Sequence, residues 1–258
     1  MMSRLMIVEG DDLPYYFLSG DVPGHALAAI DANLSYKPAN YERTQAYQRG
    51  EWDGRVRLFR KTRSGASWYF PAGLLGKVTE ALDAFGVEYE IQRQPEKRFD
   101  PIGIEWVSDI KLRNYQEEVV KTAYAARGGV ISLPTGAGKT IIALKLMQMY
   151  NVPTLILVHT KELLLQWKQE IKTHLGIDAG IVGDGEKDWR LVTVAMLQTV
   201  GGMLKRGEVK RLEFGMMVLD ETHRVAADMA YSIAMACTAR IRYGMSATPR
   251  RTDNKDLK

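Results

Sequence analysis

Two short runs hold the residues best suited to chemistry. Leu133-Pro134-Thr135-Gly136-Ala137-Gly138-Lys139-Thr140 lies between an apolar segment, Gly129 to Leu133, and a helical one, Lys139 to Met149. Glycines let a backbone turn its amides inward, and a helix N-terminus offers further N–H groups, so the run reads as a phosphate-binding loop. Pro134, Thr135, Gly136, Ala137 and Gly138 form the cradle. Lys139 offers a cation to the terminal phosphates of ATP, and Thr140 a hydroxyl to Mg²⁺. Eighty residues after Thr140 comes Asp220-Glu221-Thr222-His223, behind the apolar run Met216 to Leu219. Adjacent acids at a strand end are costly without a cation. Asp220 is therefore expected to hold Mg²⁺ and Glu221 to polarise an attacking water. The common form of the loop has glycine where this chain has Leu133.

Three weaker signals gain meaning from these two. Leu112-Arg113-Asn114-Tyr115-Gln116 precedes the loop by about one helix. Gln116 suits a bidentate contact to an adenine edge, and Arg113 or Tyr115 suits packing on the base or phosphates. Ser246-Ala247-Thr248 follows the apolar run Ile241 to Met245. Its hydroxyls are placed to bond His223 and to couple the nucleotide site to a nucleic-acid track. His223 is the candidate sensor of the phosphate state.

These residues need elements to position them. Apolar runs at 129–133, 154–158, 191–195, 215–219 and 240–244 alternate with helical stretches near 112–126, 139–150, 160–174 and 226–237. That alternation predicts an α/β fold: a parallel sheet flanked by helices, with ligands at the carboxyl ends of the strands. Both chemical runs fall on such ends. Before them, short strands are expected at 5–8, 15–18, 55–61, 68–70 and 87–91, with helices over 23–34 and 72–85, hence a small α+β domain. The boundary falls in Gln94 to Asp109, which has two prolines, mixed charge and no sustained periodicity. The expected division is residues 1–98, a connecting segment 99–111, and residues 112–258.

Composition narrows the classes. A hydrophobic share of 46% suits a globular core, and no apolar run is long enough to span a bilayer. One cysteine, Cys237, forms no intrachain disulfide, and the N-terminus lacks a signal-peptide pattern, so a cytoplasmic location is expected. The four histidines lack metal-ligand spacing. Charge is uneven: residues 37–63 carry eight basic side chains against three acids. Within that stretch Arg55, Arg57, Lys61 and Arg63 interleave with Trp52 and Phe59, and Trp68 follows. Such a pattern suits a phosphate track with stacked bases.

Taken as a set, the motifs resemble the first RecA-like lobe of a superfamily 2 helicase. Leu112 to Gln116 matches its adenine-reading segment, Leu133 to Thr140 motif I, Val158 to Leu163 motif Ia, Asp220 to His223 motif II and Ser246 to Thr248 motif III. Thr193 to Thr199 resembles the strand and helix start of the next DNA-contacting motif. The tail from Ala247 to Asp253 is similar to the XPB group, with Thr252 where that group often has Glu. Tyr47 to Leu58 and Phe70 to Gly76 resemble the N-terminal domain of UvsW-type phage recombination helicases, a small DNA-binding appendage. The resemblance implies contacts to DNA by Thr160, Lys161, Thr193 and Gln198, with ATP and Mg²⁺ as ligands.

The expected function is the N-terminal half of an ATP-dependent DNA helicase or branched-DNA remodelling translocase. It would act as a monomer on duplex, forked or branched DNA, with no membrane partner. Lys258 lies about ten residues past motif III, so the second RecA-like lobe is expected to be absent and turnover by this chain slow. The alternatives are a duplex-tracking motor of a nuclease or restriction assembly, an ATP-gated DNA-binding module, and an RNA helicase. No nuclease motif is visible in residues 1–258.

Overall fold

In the computed structural model, residues 5–10, 14–38, 40–94, 99–221 and 227–247 are described, the side chains of 227 and 228 excepted. The chain divides into two units, Met1–Glu96 and Lys97–Lys258.

The first unit is built on a five-stranded sheet. Its strands are β1 (Leu5–Glu9), β2 (Tyr15–Ser19), β5 (Arg60–Lys61), β6 (Ser67–Pro71) and β7 (Tyr89–Gln92), in the order β5-β6-β2-β1-β7. All neighbours are antiparallel except β1 and β7. Period-two alternation turns Leu5, Ile7, Tyr16, Leu18 and Phe70 to one face. There they meet Ala26 and Ile30 of helix α1 (Gly24–Asn33) and Val78, Ala81 and Leu82 of α3 (Leu75–Ala84). A short helix, α2 (Gln45–Gln48), lies between them in sequence.

The single strand expected over 55–61 is two pieces in different sheets. β4 (Val56–Arg57) pairs with β3 (Ser35–Tyr36), while Arg60 and Lys61 pair with β6. The chain bends between them because the Leu58 amide donates to the Leu34 carbonyl and Phe59 turns into the core. A buried aromatic outweighs the alternation that suggested one straight strand.

The second unit is a seven-stranded sheet. Its strands are β8 (Gly128–Ser132), β9 (Thr154–Val158), β10 (Gly180–Gly183), β11 (Glu186–Lys187), β12 (Val192–Met196), β13 (Met216–Leu219) and β14 (Ile241–Ser246). The order is β11-β10-β12-β9-β13-β14-β8, and only β11 runs antiparallel to its neighbour. Helices α4 (Asn114–Ala126), α5 (Lys139–Tyr150) and α6 (Lys161–Leu175) share one core with Ile156, Val158, Val194, Val218 and Met245. Helices α7 (Leu197–Lys205) and α8 (Ala227–Ala236) share the other with Leu155, Leu157, Ala195 and Met217. Both sheet faces are covered, which is why β9 is apolar at four consecutive positions rather than alternating.

Strands β10 and β11 escaped the sequence patterns, as did the length of helix α7 and the packing of residues 99–111. Helix α7 carries Gly201 and Gly202, poor helix formers. A Cβ on Gly201 would lie 2.6 Å from Met229 of α8, so the missing side chain permits close packing of the two helices. Residues 99–111, expected as a connecting segment, lie against the second unit. The amides of Ile102 and Ile104 donate to the Asn151 main-chain and side-chain oxygens, Ile104 is buried, and Trp106 stacks on His174.

Between α4, α5 and β14 the Tyr243 hydroxyl donates to the Ala123 carbonyl (2.8 Å) and lies 2.9 Å from the Tyr150 hydroxyl. Burial raises the pKa of both phenols, so they remain neutral donors. Tyr243→Phe is expected to cost about 1–2 kcal/mol and to lower Tm by roughly 2–8 °C. Thermal unfolding checks this, and an unchanged Tm would show that the hydroxyl contributes nothing net.

Candidate nucleotide site

Four strands bring the chemical residues to one edge of the sheet. β9, β13, β14 and β8 are parallel neighbours, so the segments leaving them emerge together. Leu133 to Gly138 leaves β8, Asp220 leaves β13, and Ser246 closes β14. Ser246 is paired in register with Ser132, and its carbonyl accepts from the Leu133 amide at 3.1 Å. The motif III strand is thereby bonded directly to the root of the loop.

The loop turns through Gly136 (φ 80°) and Gly138 (φ 76°), values that favour glycine. A Cβ at Gly138 would also lie 2.4 Å from Gln116 Nε2. At Gly136 an added Cβ would meet nothing within 4 Å, so the turn opens on free space. Helix α5 then starts without a side-chain cap, leaving its first amides directed to the same region. Lys139 Nζ donates to the carbonyls of Leu133 (3.0 Å) and Pro134 (3.3 Å). This donor set fits a chain of phosphates.

Gln116 is buried, and its amide works inside the protein. Oε1 accepts from the Arg113 amide (2.9 Å), the back-bond of a helix N-terminus, and Nε2 donates to the Ala137 carbonyl (3.0 Å). The Tyr115 hydroxyl donates to the same carbonyl (2.8 Å), and Arg113 Nη1 donates to that hydroxyl (3.4 Å). The start of α4 therefore braces the loop tip.

Asp220 is only 6% exposed. The indole N–H of Trp167, on α6, donates to its Oδ2 (2.8 Å), and the Glu221 amide donates to its Oδ1 (2.9 Å). Burial pushes the carboxyl above its ordinary pKa, opposed by these two bonds and by Lys139. A buried acid facing a lysine beside an open loop suits a divalent cation. Glu221 has φ 53°, unusual for a residue with a side chain, which sets it apart from the direction of β13. Sequence reading missed Trp167. Its partner lies 53 residues away in sequence.

The other candidates are spread more widely. Thr160 caps α6 by accepting from the Leu163 amide (3.3 Å), and Gln198 Nε2 donates to the His159 carbonyl (3.3 Å), so these two lie near the same sheet edge. Lys161 is paired with Asp184 at 2.5 Å. Thr193 is a correction. It is wholly buried in β12, where its hydroxyl donates to the Arg190 carbonyl (2.7 Å) and accepts from the Arg190 amide (2.9 Å). It closes a turn and cannot meet DNA, because helices cover both faces of its strand. In the first unit Arg57 pairs with Asp31 (3.3 Å) and Asp53 (2.5 Å), Arg55 Nη1 donates to the Ser35 hydroxyl (3.3 Å), and Arg63 is exposed. Ala247 follows β14, whereas Thr222, His223, Thr248 and the triplet Arg251-Thr252-Asp253 lie outside the described residues.

The raised pKa of Asp220 sets a pH dependence. Between the unfolded and folded values the native chain holds a proton that the unfolded chain has released, so this group's contribution to stability falls as pH rises. Asp220→Asn removes that titration. The Tm of the variant minus that of wild type is expected to increase from about pH 4 upward and then level off. A difference that shrinks with pH would mean that Lys139 outweighs burial.

The family model described as "Type III restriction enzyme, res subunit" matches residues 109–251. The DNA 3'-5' translocase XPB2 of Sulfurisphaera tokodaii is 37% identical over 170 residues, covering 66% of this chain and 38% of that protein. The ATP-dependent DNA helicase uvsW of Enterobacteria phage T4 is 25% identical over 259 residues, covering 84% and 47%. The chain thus spans less than half the length of either relative. The crystal structure of the UvsW helicase from bacteriophage T4 has the same fold, with a TM-score of 0.71 at 22% identity, covering 96% of this chain and 93% of that one. The model match extends over more than half of the chain and includes both chemical runs, so the protein belongs to the type III restriction enzyme, res subunit family and has its helicase-type RecA-like lobe.

Proposed function

We propose that this chain is the N-terminal half of an ATP-dependent DNA helicase or branched-DNA remodelling translocase, acting in recombination, repair or replication. One observation carries the reading: Lys139 and the buried Asp220 reach the same sheet edge, beside a loop whose glycines leave room for phosphates. The relatives' names, a DNA translocase and a DNA helicase, support DNA as the track.

In this reading the loop amides and Lys139 bind the phosphates of ATP, and Lys139 moves to them from the carbonyls of Leu133 and Pro134. Thr140 and Asp220 would hold Mg²⁺, which when bound would offset negative charge on the phosphate oxygens. Glu221 orients the attacking water and accepts its proton at the carboxylate. Gln116 fixes the loop through Ala137, and its remaining amide hydrogen is available to the adenine. The Ser246–Leu133 bond carries a change in the loop to β14, and His223 and Thr248 belong to the same relay. Thr160 and Gln198 contact the DNA backbone from the sheet edge, while Arg55, Lys61 and Arg63 engage it from the first unit. In this reading the protein acts as a monomer in the cytoplasm. Among the described residues no helix is long and apolar enough to cross a membrane.

The family's description favours one second reading, a motor subunit of a restriction assembly that tracks on duplex without separating strands. Strand displacement by a protein of the relatives' full length separates the two.

Fluorescent ATP with Mg²⁺ is expected to bind the 258-residue chain. Lys139→Ala should abolish binding, and Glu221→Gln, placed in a protein of the relatives' full length, should retain it while losing hydrolysis. Unchanged binding by Lys139→Ala would refute the assignment of the loop.

A further inference from the structure

The first unit holds a solvent-open cavity of about 580 Å³ that the nucleotide site does not use. This lies within the roughly 300–1,000 Å³ of small-ligand clefts. Its walls are apolar: Leu27 and Ala28 of α1, Phe59, and Trp68 of β6. Phe59 is buried, and the Trp68 ring lies nearly parallel to it, centroids 4.7 Å and planes 5° apart. The stack holds the half-buried indole as a rigid wall. Lys61, cross-strand partner of Trp68, places its Nζ 5.6 Å from the indole centroid.

Two kinds of charge line the mouth. Arg57 is opposed by two carboxylates, Asp31 and Asp53, so that side offers no unmatched positive charge. Arg60 and Lys61 are exposed, and among the described residues neither makes an ion pair. Arg60 Nε donates to the Arg57 carbonyl (2.9 Å), which keeps the guanidinium at the rim. A flat aromatic wall with two unmatched cations at its edge complements a ring that carries a phosphate.

We infer that this cavity takes one unpaired base of a DNA strand. The base stacks on Trp68 where the Lys61 ammonium now stands, and its flanking phosphate sits between Lys61 and Arg60. Every base has a π-face, so the site accepts any base, with an affinity that depends on salt. The inference rests on the DNA reading above. It adds that the first unit holds an exposed base, as found at a fork or junction, and not the backbone alone.

The test uses the 258-residue chain and single-stranded thymidine oligomers carrying one 2-aminopurine, beside oligomers of the same length made of abasic residues. Wild type is expected to quench the 2-aminopurine and to bind the abasic oligomer about tenfold more weakly than the thymidine one. Arg60→Ala/Lys61→Ala, which alters only exposed side chains, is expected to weaken binding about tenfold and to reduce the slope of affinity on salt by about one phosphate contact. Trp68→Leu should abolish quenching. The first two readouts do not depend on that variant folding. Equal affinity for abasic and thymidine oligomers, or wild-type binding by the double variant, overturns the base site and leaves DNA as the track. Failure of the wild-type chain to bind any DNA overturns both.

Discussion

The buried carboxyl of Asp220 is the constraint from which much of this architecture follows. An acid removed from water needs partners, and three elements supply them: Trp167 from α6, the chain's own turn at Glu221, and the field of Lys139. Those partners can meet only if β13 lies close to both β9 and β8. The strand order provides this, with β14 as the single strand between the acid and the loop. Desolvation makes the carboxyl a reluctant anion in isolation, and therefore one whose charge a divalent cation would stabilise. Within the loop, two left-handed glycines shape the turn proposed to cradle phosphates, and the Gln116 amide holds its tip. The missing Cβ of Gly138 admits that amide, so one residue serves both backbone geometry and packing.

Much of the second unit was legible because parallel strands covered on both faces are written as apolar runs separated by helices. The places of the loop and the acidic pair were legible because each follows an apolar run that forms a strand. What was hidden depends on distant partners. The Trp167–Asp220 bond joins residues 53 apart in sequence. Thr193 had the type and place of a surface contact, yet its hydroxyl is spent on Arg190 inside the sheet. The start of helix α7 was carried by the resemblance, but its continuation was masked by a glycine pair that makes sense only beside Met229. Strand β11 is two residues long, too short for any periodicity.

In the first unit the pattern misled for a related reason. Arg55 to Lys61 alternates like one strand, but the Phe59 ring is worth more in the core than a continuous ladder, and the chain bends to bury it. The bend also divides the basic residues into two groups. Arg57 faces acids, while Arg60 and Lys61, which make no ion pair among the described residues, lie beside Trp68. A count of charges along the sequence cannot make that distinction, because it is set by which strand each residue joins.

Hydrogen exchange with and without Mg²⁺ and ATP tests the central claim most directly, because it follows the loop and the acid in one experiment. Nucleotide is predicted to slow exchange at 134–142 and at 219–221 together, since both line one site. Protection confined to one segment, or absent from both, would contradict the account.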